Sequence, residues 1–506
     1  MQPNILFIMS DDHAARAISA YGGGLNHTPN LDRLADEGAR LDRCYVTNSI
    51  CTPSRAAILT GTYNHVNGVT TLDTHIDNRL PNVAKHLRQG GYRTGMFGKW
   101  HLGEGAAHNP TGFDEWAVVP GQGDYWDPRF IFPDGMRRIP GYATDVITDM
   151  SIDFIDRCAD QPFFLMCHHK APHRNFEPDP KYSHLWADED LPLPETFNDD
   201  YANRAAAAAA AKMRIRSDMN YEDLGLVTPS GPADRVGALM LDHVPYMRKV
   251  PELQPGQTIT VICSETGESF TFADSDAFAE FKYQRYMKRY LRTVQSIDDN
   301  VGRLLDHLDQ KDLTENTLVI YTSDQGFFLG EHGWFDKRFM YEESLQMPFL
   351  ARYPRAIKAG TVSSDIACNV DFAPTFLDFA GLTLPSYMQG RSMRPVLEGA
   401  TPDDWEQLTY HRYWMHNDEI HECWAHYGVR DQHYKLIYWY NDDLGQLGAR
   451  PNGAPPEWEL FDCQTDPHEL KNLADDPAYH EIFVAMRAKL DAKMATIGDI
   501  PEHRSP

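Results

Sequence analysis

Short apolar segments alternate with helical segments along most of this chain, and this alternation restricts the fold more than any other feature. The apolar segments have the length and composition of strands: Asn4–Met9, Arg93–Phe97, Phe163–Cys167 and Thr317–Thr322. Segments with helical character lie between and after them: Pro29–Glu37, Arg55–Leu59, Val83–Gln89, Thr144–Arg157 and Phe278–Leu308. Such alternation is typical of an α/β fold, in which helices flank a large and mostly parallel sheet.

The alternation stops near Gly390–Gly399, and 506 residues are in any case too many for one compact core. Beyond that point the sequence predicts strands at Cys423–Val429 and Tyr434–Tyr440, and a closing helix at Tyr479–Met494. We therefore predict two domains, residues 1–400 and 401–506. The second is a smaller α+β domain with an antiparallel sheet.

Two segments of the first domain have the character of insertions. Ala205–Ala211 is a run of seven alanines and predicts a plain helix without chemistry. Gln254–Asp276 alternates Thr, Val and Ile around two glycines, which predicts an added surface hairpin.

The charge balance excludes two classes of partner. The chain has 73 acidic and 47 basic residues, a net charge of −26. The resulting field repels nucleic acid and anionic membrane surfaces, so neither is expected as a partner. An anionic substrate would need a local basic cluster.

The cysteines and the N-terminus bear on the compartment. The eight cysteines show no C-x-x-C pair and no dense framework, so neither a zinc site nor a disulfide scaffold is predicted. The opening apolar run lacks a basic flank and a cleavage site, and we interpret it as a first strand. No apolar run approaches the ~20 residues that span a bilayer. We expect a cytoplasmic protein, or a periplasmic or secreted one if the N-terminus was trimmed.

Polar residues follow each predicted strand. In chain order these are Asp11 and Asp12, Lys99 and His101, His173, and Asp324 and Gln325. Ligands of open parallel sheets bind outside the carboxyl ends of the strands, so these residues should meet at one edge. Three carboxylates and an amide oxygen are hard ligands that suit Ca²⁺ or Mg²⁺ better than zinc. Each strand end taken alone could equally be a solvated loop.

The segment Cys51–Gly61 reads C-T-P-S-R-A-A-I-L-T-G. Pro53 favours a first helical turn, so Cys51 should lie at a helix N-terminus, where free N–H groups and the dipole favour an anion. A half-buried cysteine before an ordinary helix is the simpler alternative for a lone C-x-P.

The whole segment resembles the signature of the type I, formylglycine-dependent sulfatases of the alkaline phosphatase superfamily. The resemblance implies an alkaline-phosphatase-like catalytic domain and a maturation enzyme that oxidises Cys51 to formylglycine. It also implies a reaction in which one hydroxyl of the aldehyde hydrate attacks sulfur and the second expels sulfate. Tyr434–Ile437 and Trp458–Leu473 are similar to the small C-terminal domain of that family.

The resemblance also assigns residues. It implies metal ligation by Asp11, Asp12, Cys51, Asp324 and Gln325, and catalytic roles for Cys51, Arg55, Lys99, His101, His173 and Lys337. Among these, Arg55 would hold the formylglycine, while Lys99, His173 and Lys337 would bind the sulfate. His173 or Lys337 would protonate the leaving alcohol, and His101 would assist the elimination. We expect these groups to line a solvent-accessible cleft.

One position departs from the family pattern. Many sulfatases have Asn after the second metal-binding Asp, whereas this chain has Gln325. Its longer amide still presents an oxygen, so Ca²⁺ is favoured over Mg²⁺ and Mn²⁺. Phosphonate monoesterases and choline sulfatases typically have His there.

The leading hypothesis is a sulfuric ester hydrolase that acts on a carbohydrate or a small alkyl or aryl sulfate. A phosphonate monoester or phosphodiester hydrolase of the same superfamily is the first alternative, and a silent metal-stabilised binding protein is the second. Residues that could wall the pocket for the alcohol are Tyr125, Trp126 and Arg129, with His411, Trp414, His416 and His421 from the second domain. A homo-oligomer is left open.

Overall fold

The computed structural model describes residues 2–158, 161–227 and 248–503, and within them an eleven-stranded sheet is the central feature. In chain order the strands are β1 (Asn4–Asp11), β2 (Ala39–Tyr45), β3 (Arg93–Lys99), β4 (Glu115–Val119), β5 (Arg129–Phe132), β6 (Gly135–Arg138), β7 (Phe163–Pro172), β8 (Leu226–Val227), β9 (Ile259–Cys263), β10 (Ser269–Phe272), β11 (Thr317–Ser323), β12 (Phe328–Leu329), β13 (Phe335–Asp336), β14 (Gln346–Arg352), β15 (Thr361–Ser363), β16 (Ala367–Cys368), β17 (Leu408–Tyr413), β18 (His426–Asp431), β19 (Tyr434–Trp439) and β20 (Glu457–Asp462). The helices are α1 (Pro29–Asp36), α2 (Cys51–Thr60), α3 (Asn64–Asn67), α4 (Val83–Gln89), α5 (Ala143–Asp156), α6 (Ala206–Ala210), α7 (Ser275–Gln310), α8 (Glu342–Leu345), α9 (Phe372–Phe379), α10 (Arg394–Leu397) and α11 (His480–Ile497).

The centre of the large sheet is parallel. Its strands follow the order β15–β2–β14–β11–β1–β7–β3–β4–β5–β6, and β16 also pairs with β2. The five strands from β11 to β4 run parallel, with antiparallel β14 and β5 on either side. This confirms the α/β prediction. It also brings the carboxyl ends of β1, β3, β7 and β11 to one edge.

Strand β1 is apolar from Ile5 to Met9, because both of its faces are covered. Phe7 packs against Phe376 of α9, with ring centroids 5.1 Å apart. Leu6 and Ile8 point to the opposite core, which also contains Leu304 of α7. Successive side chains of a strand point to opposite faces, so helices on both sides bury every residue. The end of β1 is thereby held firmly.

Several element boundaries differ from the sequence predictions, most clearly those of β7, α2 and α7. Strand β7 continues past Cys167 to Pro172, because its polar residues are buried along with the apolar ones. Helix α2 begins at Cys51 and not at Arg55. Helix α7 is longer than predicted at both ends, and the Asp274 side chain caps it by accepting from the Ala277 N–H.

Both predicted insertions form the expected elements. The alanine run contains α6, and Glu459 accepts a hydrogen bond from the N–H of Ala205 just before it. Strands β9 and β10 form an antiparallel hairpin within Gln254–Asp276, and β8 extends it to three strands.

The C-terminal part contains the predicted antiparallel sheet and closing helix. Strands β17 to β20 pair in sequential order, and Leu490 and Met494 of α11 share a core with Leu436 of β19. The prediction of a strand from Cys423 is wrong at its start, because the Asp418 side chain binds backbone N–H groups before β18. The domain boundary near residue 400 stays a prediction.

All eight cysteines are free thiols in the structure, and seven of them are buried. Within the described ranges, no helix has both the length and the apolar character needed to cross a membrane.

Candidate active site

The polar residues at the strand ends meet as predicted. Asp11 ends β1, and Asp324 directly follows the neighbouring strand β11. Ligand atoms of Asp11, Cys51 and Asp324 lie within 4.8 Å of one another, as do those of Asp11, Asp12 and His173. All five side chains are buried. The site therefore combines three carboxylates, a thiol and an imidazole at one edge of the sheet.

Cys51 occupies the position that its motif predicts. It is the first residue of α2, follows an extended Ile50, and is 1% exposed. Burial raises the pKa of the Cys51 thiol to about 11, although the nearby Lys99 ammonium opposes this. A thiol with such a pKa is protonated at neutral pH and is a weak nucleophile. The site therefore does not activate the cysteine as a thiolate.

Arg55 binds the carboxylate opposite the cysteine. Its Nε and Nη2 donate to Asp324 Oδ2 at 3.0 and 2.9 Å, and its Nη1 donates to the Lys99 carbonyl at 2.7 Å. A charge-assisted pair of this kind fixes both orientation and distance. Arg55 therefore positions Asp324, and its expected contact with residue 51 stays a prediction.

Two buried oxygens of the acidic cluster, Asp11 Oδ1 and Gln325 Oε1, accept no hydrogen bond from the described residues. Arg55 Nη2 lies 3.8 Å from Asp11 Oδ1, beyond hydrogen-bond distance. The other atoms of this group are engaged: Gln325 Nε2 donates to Asp12 Oδ1, and the Asp12 N–H donates to Asp324 Oδ1 at 3.1 Å. Buried polar atoms without partners are costly, and hard oxygens without partners suit a divalent cation. The donor set therefore fits a metal such as Ca²⁺.

The pKa values of the clustered carboxylates also favour a bound cation. Burial, with the neighbouring carboxylates, raises the pKa of Asp12 to about 7 and that of Asp324 to about 6. Burial, the largest single influence, would also raise the pKa of Asp11, but Lys99 and the other nearby cations together outweigh it and hold this pKa well below its usual value. The protein's own cations thus compensate only part of the negative charge.

Two lysines approach the carboxylates, Lys99 from the end of β3 and Lys337 from the segment directly after β13. Lys99 donates to Asp11 Oδ2 and to Gln122, while Lys337 Nζ lies 2.7 Å from the Asp12 carboxylate. Burial would lower the pKa of Lys337, but Asp12 and Asp336 outweigh it and hold this pKa above its usual value. Lys337 is therefore a protonated, buried cation.

The expectation of a solvent-accessible cleft is wrong for three of these groups. Lys99, His173 and Lys337 are exposed by 3% or less. The reason is pairing: a lysine beside a carboxylate can be buried where an isolated ammonium could not. His101 alone of the four basic residues is partly exposed.

The two histidines have different surroundings. His101 Nδ1 lies 3.3 Å from the Thr52 hydroxyl, beside the start of α2. His173 Nδ1 lies 2.6 Å from the Arg174 carbonyl and must donate there, so Nε2, which lies 3.7 Å from Asp12 Oδ2, carries the lone pair. Burial, and secondly Lys99, hold the pKa of both histidines well below its usual value. A neutral His173 lacks the proton that a leaving-group acid must supply.

The three loop residues proposed as pocket walls are placed differently from one another. Tyr125 is buried, and its hydroxyl donates to the His173 carbonyl at 2.6 Å. Trp126 is 42% exposed and packs edge-on against Tyr142. Arg129 lies on β5 with its Nε 3.6 Å from Asp124. Only Tyr125 directly contacts a residue of the site in the structure.

Of the four C-terminal residues proposed for the pocket, His421 reaches closest to the site. Its Nε2 lies 3.3 Å from Asp336 Oδ2, next to Lys337 in the chain, and 3.2 Å from Arg174 Nη1. The other three make structural contacts: His411 with the Val46 carbonyl, Trp414 with the Arg412 guanidinium, and His416 with the Ala425 N–H.

The sequence motifs did not indicate the charged residues on either side of Lys337. Asp336 and Arg338 are buried and have φ of 76° and 91°. Arg338 donates to the Tyr413 hydroxyl at 2.9 Å, and Asp336 lies 3.8 Å from Arg174. Left-handed backbone at residues other than glycine is strained and clusters at functional sites. The three consecutive charged residues D-K-R at positions 336–338 were the sequence feature that could have indicated them.

A glycine is required at position 98, in β3 directly before Lys99. Its φ is +105°, and a Cβ there would lie 1.8 Å from the His168 carbonyl oxygen of β7. We expect Gly98→Ala to lower the free energy of unfolding by about 2 kcal/mol or more and to displace Lys99. Denaturant unfolding and kcat measure the two effects.

Gly91→Ala is the matched control for this substitution. Gly91 also precedes Lys99 in the chain and has a φ of +93°, but nothing lies within 4 Å of its added Cβ. Gly91→Ala should therefore cost only backbone strain and leave kcat unchanged. Equal losses of kcat in both variants would contradict a specific role of the β3–β7 approach.

Comparison with known proteins identifies the family. The sequence profile described as Sulfatase matches residues 3–382, about three-quarters of the chain. The chain belongs to the sulfatase family. Sulfatases are enzymes that use a metal ion and a modified cysteine or serine, which agrees with the acidic cluster around Cys51. A second profile, described as N-sulphoglucosamine sulphohydrolase, C-terminal, matches residues 330–496 of this sulfatase.

Two relatives resemble this sulfatase over nearly its whole length. An N-acetylglucosamine-6-O-sulfatase of Bacteroides thetaiotaomicron is 43% identical over 499 residues, covering 94% of this chain and 84% of the relative. A solved structure described as a complex with its substrate D-glucosamine-2-N,6-O-disulfate has a TM-score of 0.86 and 40% identity, and the match covers 98% of each chain.

A phosphonate monoester hydrolase of Silicibacter pomeroyi shares the fold. Its TM-score is 0.68 at 21% identity, with 98% of this chain and 95% of that chain covered. Likeness at this level shows the alkaline-phosphatase-like fold and not the reaction.

Proposed function

We propose that this sulfatase releases sulfate from the 6-O-position of a glucosamine-type sugar, with formylglycine formed from Cys51 and with bound Ca²⁺. The names of the two relatives above supply the sugar and the position. The observation that carries the chemistry is the cluster of Asp11, Asp12, Cys51 and Asp324, in which Lys99 lies beside Asp11 and Lys337 beside Asp12.

The surroundings of residue 51 support modification of the cysteine. A buried thiol with a pKa of about 11 is poorly suited to attack a sulfate ester as it stands. A formylglycine at this position would supply a hydroxyl nucleophile through its hydrate, at a helix N-terminus that favours negative charge. The maturation enzyme is therefore a required partner.

The acidic residues would hold the cation. Asp11, Asp12, Asp324 and Gln325 offer the hard oxygens, and two of these accept no hydrogen bond from the described residues. Bound there, Ca²⁺ would supply positive charge to the sulfate oxygens and to the nucleophile. The Arg55 guanidinium holds Asp324 in position for this role.

The chain's own cations perform the remaining functions. Lys99 and Lys337 place positive charge at the sulfate oxygens, where it stabilises charge in the transition state. Lys337 is our choice for the leaving-group acid, because Asp12 and Asp336 keep it protonated, whereas Nε2 of His173 carries no proton to donate. For His173 to bind the sulfate, its Nε2 would have to take up a proton, which the negative charge of a bound sulfate would favour. His101 lies at the start of α2, where it can assist release.

We expect Lys337→Ala to lower kcat/KM by about 10²-fold or more, close to the cost of one lost oxyanion donor. The variant loses a cation and, on this account, also the leaving-group acid. Loss of the acid should slow esters with poor leaving groups far more than aryl sulfates with good ones. Because Lys337 is buried against Asp12, stability should fall as well.

Lys337→Arg is the control, since it keeps the charge but is a far weaker acid. It should lose less than Lys337→Ala on aryl sulfates and about as much on alkyl sulfates. Wild-type kcat/KM of Lys337→Ala on every substrate would show that the sulfate does not bind at this place.

A substrate panel tests the proposed function directly. Sulfate release would be measured on N-acetylglucosamine 6-sulfate, on its 3-O-sulfated isomer, on N-sulfated glucosamine and on p-nitrophenyl sulfate. A phenyl phosphonate ester serves as the probe for the alternative reaction. The 6-O-sulfate should have the highest kcat/KM. Faster hydrolysis of the phosphonate ester would refute the proposal in favour of the alternative.

A further inference from the structure

A buried asparagine outside the motif links the two chain segments on either side of Cys51. Asn369 lies in the turn between β16 and α9 and is fully buried. Its Oδ1 accepts from the Thr47 N–H at 3.1 Å, four residues before Cys51. Its Nδ2 donates to the Ser54 hydroxyl at 2.9 Å, three residues after Cys51. One side chain thus spans both the loop that enters α2 and the first turn of the helix.

The directions of these hydrogen bonds are fixed by chemistry. The Ser54 hydroxyl has one proton and donates it to the Asp324 carbonyl, which can only accept. Ser54 must therefore accept its second hydrogen bond, so Asn369 must donate it. The Thr47 N–H can only donate, so Asn369 must accept there. An amide satisfies both requirements, whereas a carboxylate of the same shape satisfies only one.

Neighbouring contacts hold this connection in place. The two residues of β16 pair with Cys44 and Tyr45 at the end of β2. Asn369 therefore follows a strand that is paired just before the loop that enters α2. The Thr47 carbonyl accepts from the Arg412 N–H of β17 at 2.9 Å. The loop before Cys51 is therefore bound by its N–H to Asn369 and by its carbonyl to the C-terminal sheet.

We propose that Asn369 is a positioning residue for the reaction at residue 51. Through Ser54 it links the start of α2 to the Asp324 backbone, and through Thr47 it sets the path of the loop that enters the helix. It thereby fixes residue 51 relative to the carboxylate opposite, without touching the substrate. This inference depends on the proposed function only in that residue 51 is the nucleophile.

The test uses Asn369→Asp and Asn369→Ala in the full-length protein. Asn369→Asp keeps the shape but cannot donate to Ser54, and Asn369→Ala removes both hydrogen bonds. We expect kcat, calculated per protein molecule that carries formylglycine at position 51, to fall by about 10- to 100-fold in both variants. Small misplacements of reacting groups have effects of that size. KM should change little, because Lys99 and Lys337 remain in place.

Asn300→Ala is the matched control. Asn300 is also a fully buried asparagine with two side-chain donor bonds, to Asp145 at 2.7 Å and to the Ser296 carbonyl at 2.8 Å, but it lies in α7 among structural contacts. It should lower the melting temperature and leave kcat unchanged. Hydrogen exchange of the Thr47 amide supplies a readout without turnover: exchange should accelerate in Asn369→Ala and not in Asn300→Ala.

The outcomes separate this inference from the proposed function. Conversion of residue 51 is quantified by mass in every variant, so a maturation defect is not mistaken for misplacement. Wild-type kcat in Asn369→Asp, or unchanged exchange at Thr47 in Asn369→Ala, would overturn the role of Asn369. An inactive wild-type protein would refute the proposed function, and the exchange result would still decide whether Asn369 holds the loop.

Discussion

Cys51→Ala is expected to abolish sulfate release, with kcat lowered by about 10⁴-fold or more. Without a nucleophile at residue 51, the covalent route through attack on sulfur is lost. The fold should persist. Cys51 is buried at the start of α2, and alanine is an excellent helix residue of smaller volume. Circular dichroism and melting temperature check the fold, and sulfate release checks the activity.

Cys44→Ala is the matched control for this variant. Cys44 is also buried, at the end of β2 and only seven positions before Cys51, but it pairs in the sheet and belongs to the apolar core. Cys44→Ala should keep full activity. Wild-type activity in Cys51→Ala would end the account of a modified residue at this position, whatever the control shows. Cys51→Ser, expressed with a maturation enzyme that accepts only cysteine, should be as inactive as Cys51→Ala.

Removal of the metal ion should have the second largest effect. Treatment with a chelator is expected to abolish turnover and to lower the melting temperature by on the order of 5 °C, because a ligand that binds only the folded state stabilises it. The raised pKa values of Asp12 and Asp324 give the physical reason, since their negative charges are disfavoured without further positive charge. Addition of Ca²⁺ should restore both properties better than Mg²⁺ or Mn²⁺.

Asp324→Asn provides the control for chelation. The variant keeps the shape of the side chain but weakens the site, so the chelator should lower its melting temperature by less than it lowers that of the wild type. Full activity in protein that metal analysis shows to be free of divalent cations would contradict the metal assignment.

The sequence predicted the parts of the site that are local in the chain. Asp11 and Asp324 could be found because each directly follows a buried apolar strand, and parallel strands bring their carboxyl ends together. Cys51 could be placed because the start of α2 depends on a short motif. These features need no knowledge of distant contacts.

Features that depend on distant contacts could not be predicted. The Tyr290 hydroxyl of α7 donates to the Asp12 carbonyl across 278 positions of the chain, and no local pattern marks that residue. Asn369 lies more than 300 positions from both of its partners. The burial of Lys99 was missed for the same reason, because it follows from pairing with a carboxylate on another strand.

Backbone strain also could not be predicted from the sequence. The left-handed conformations of Asp336 and Arg338 depend on the packing around β13, while their side chains form ion pairs and hydrogen bonds with residues from other segments. The positions of the predicted site residues thus followed from strand order, and the network around them did not.

The most direct measurement is the mass of the tryptic peptide that spans Cys44–Arg55 in active wild-type protein. This peptide contains both Cys44 and Cys51, so the first cysteine serves as an internal unmodified thiol. The account predicts a peptide about 18 Da lighter than the unmodified sequence, with one alkylatable thiol and one aldehyde at residue 51. A fully active preparation in which this peptide has its unmodified mass and two alkylatable thiols would contradict the account.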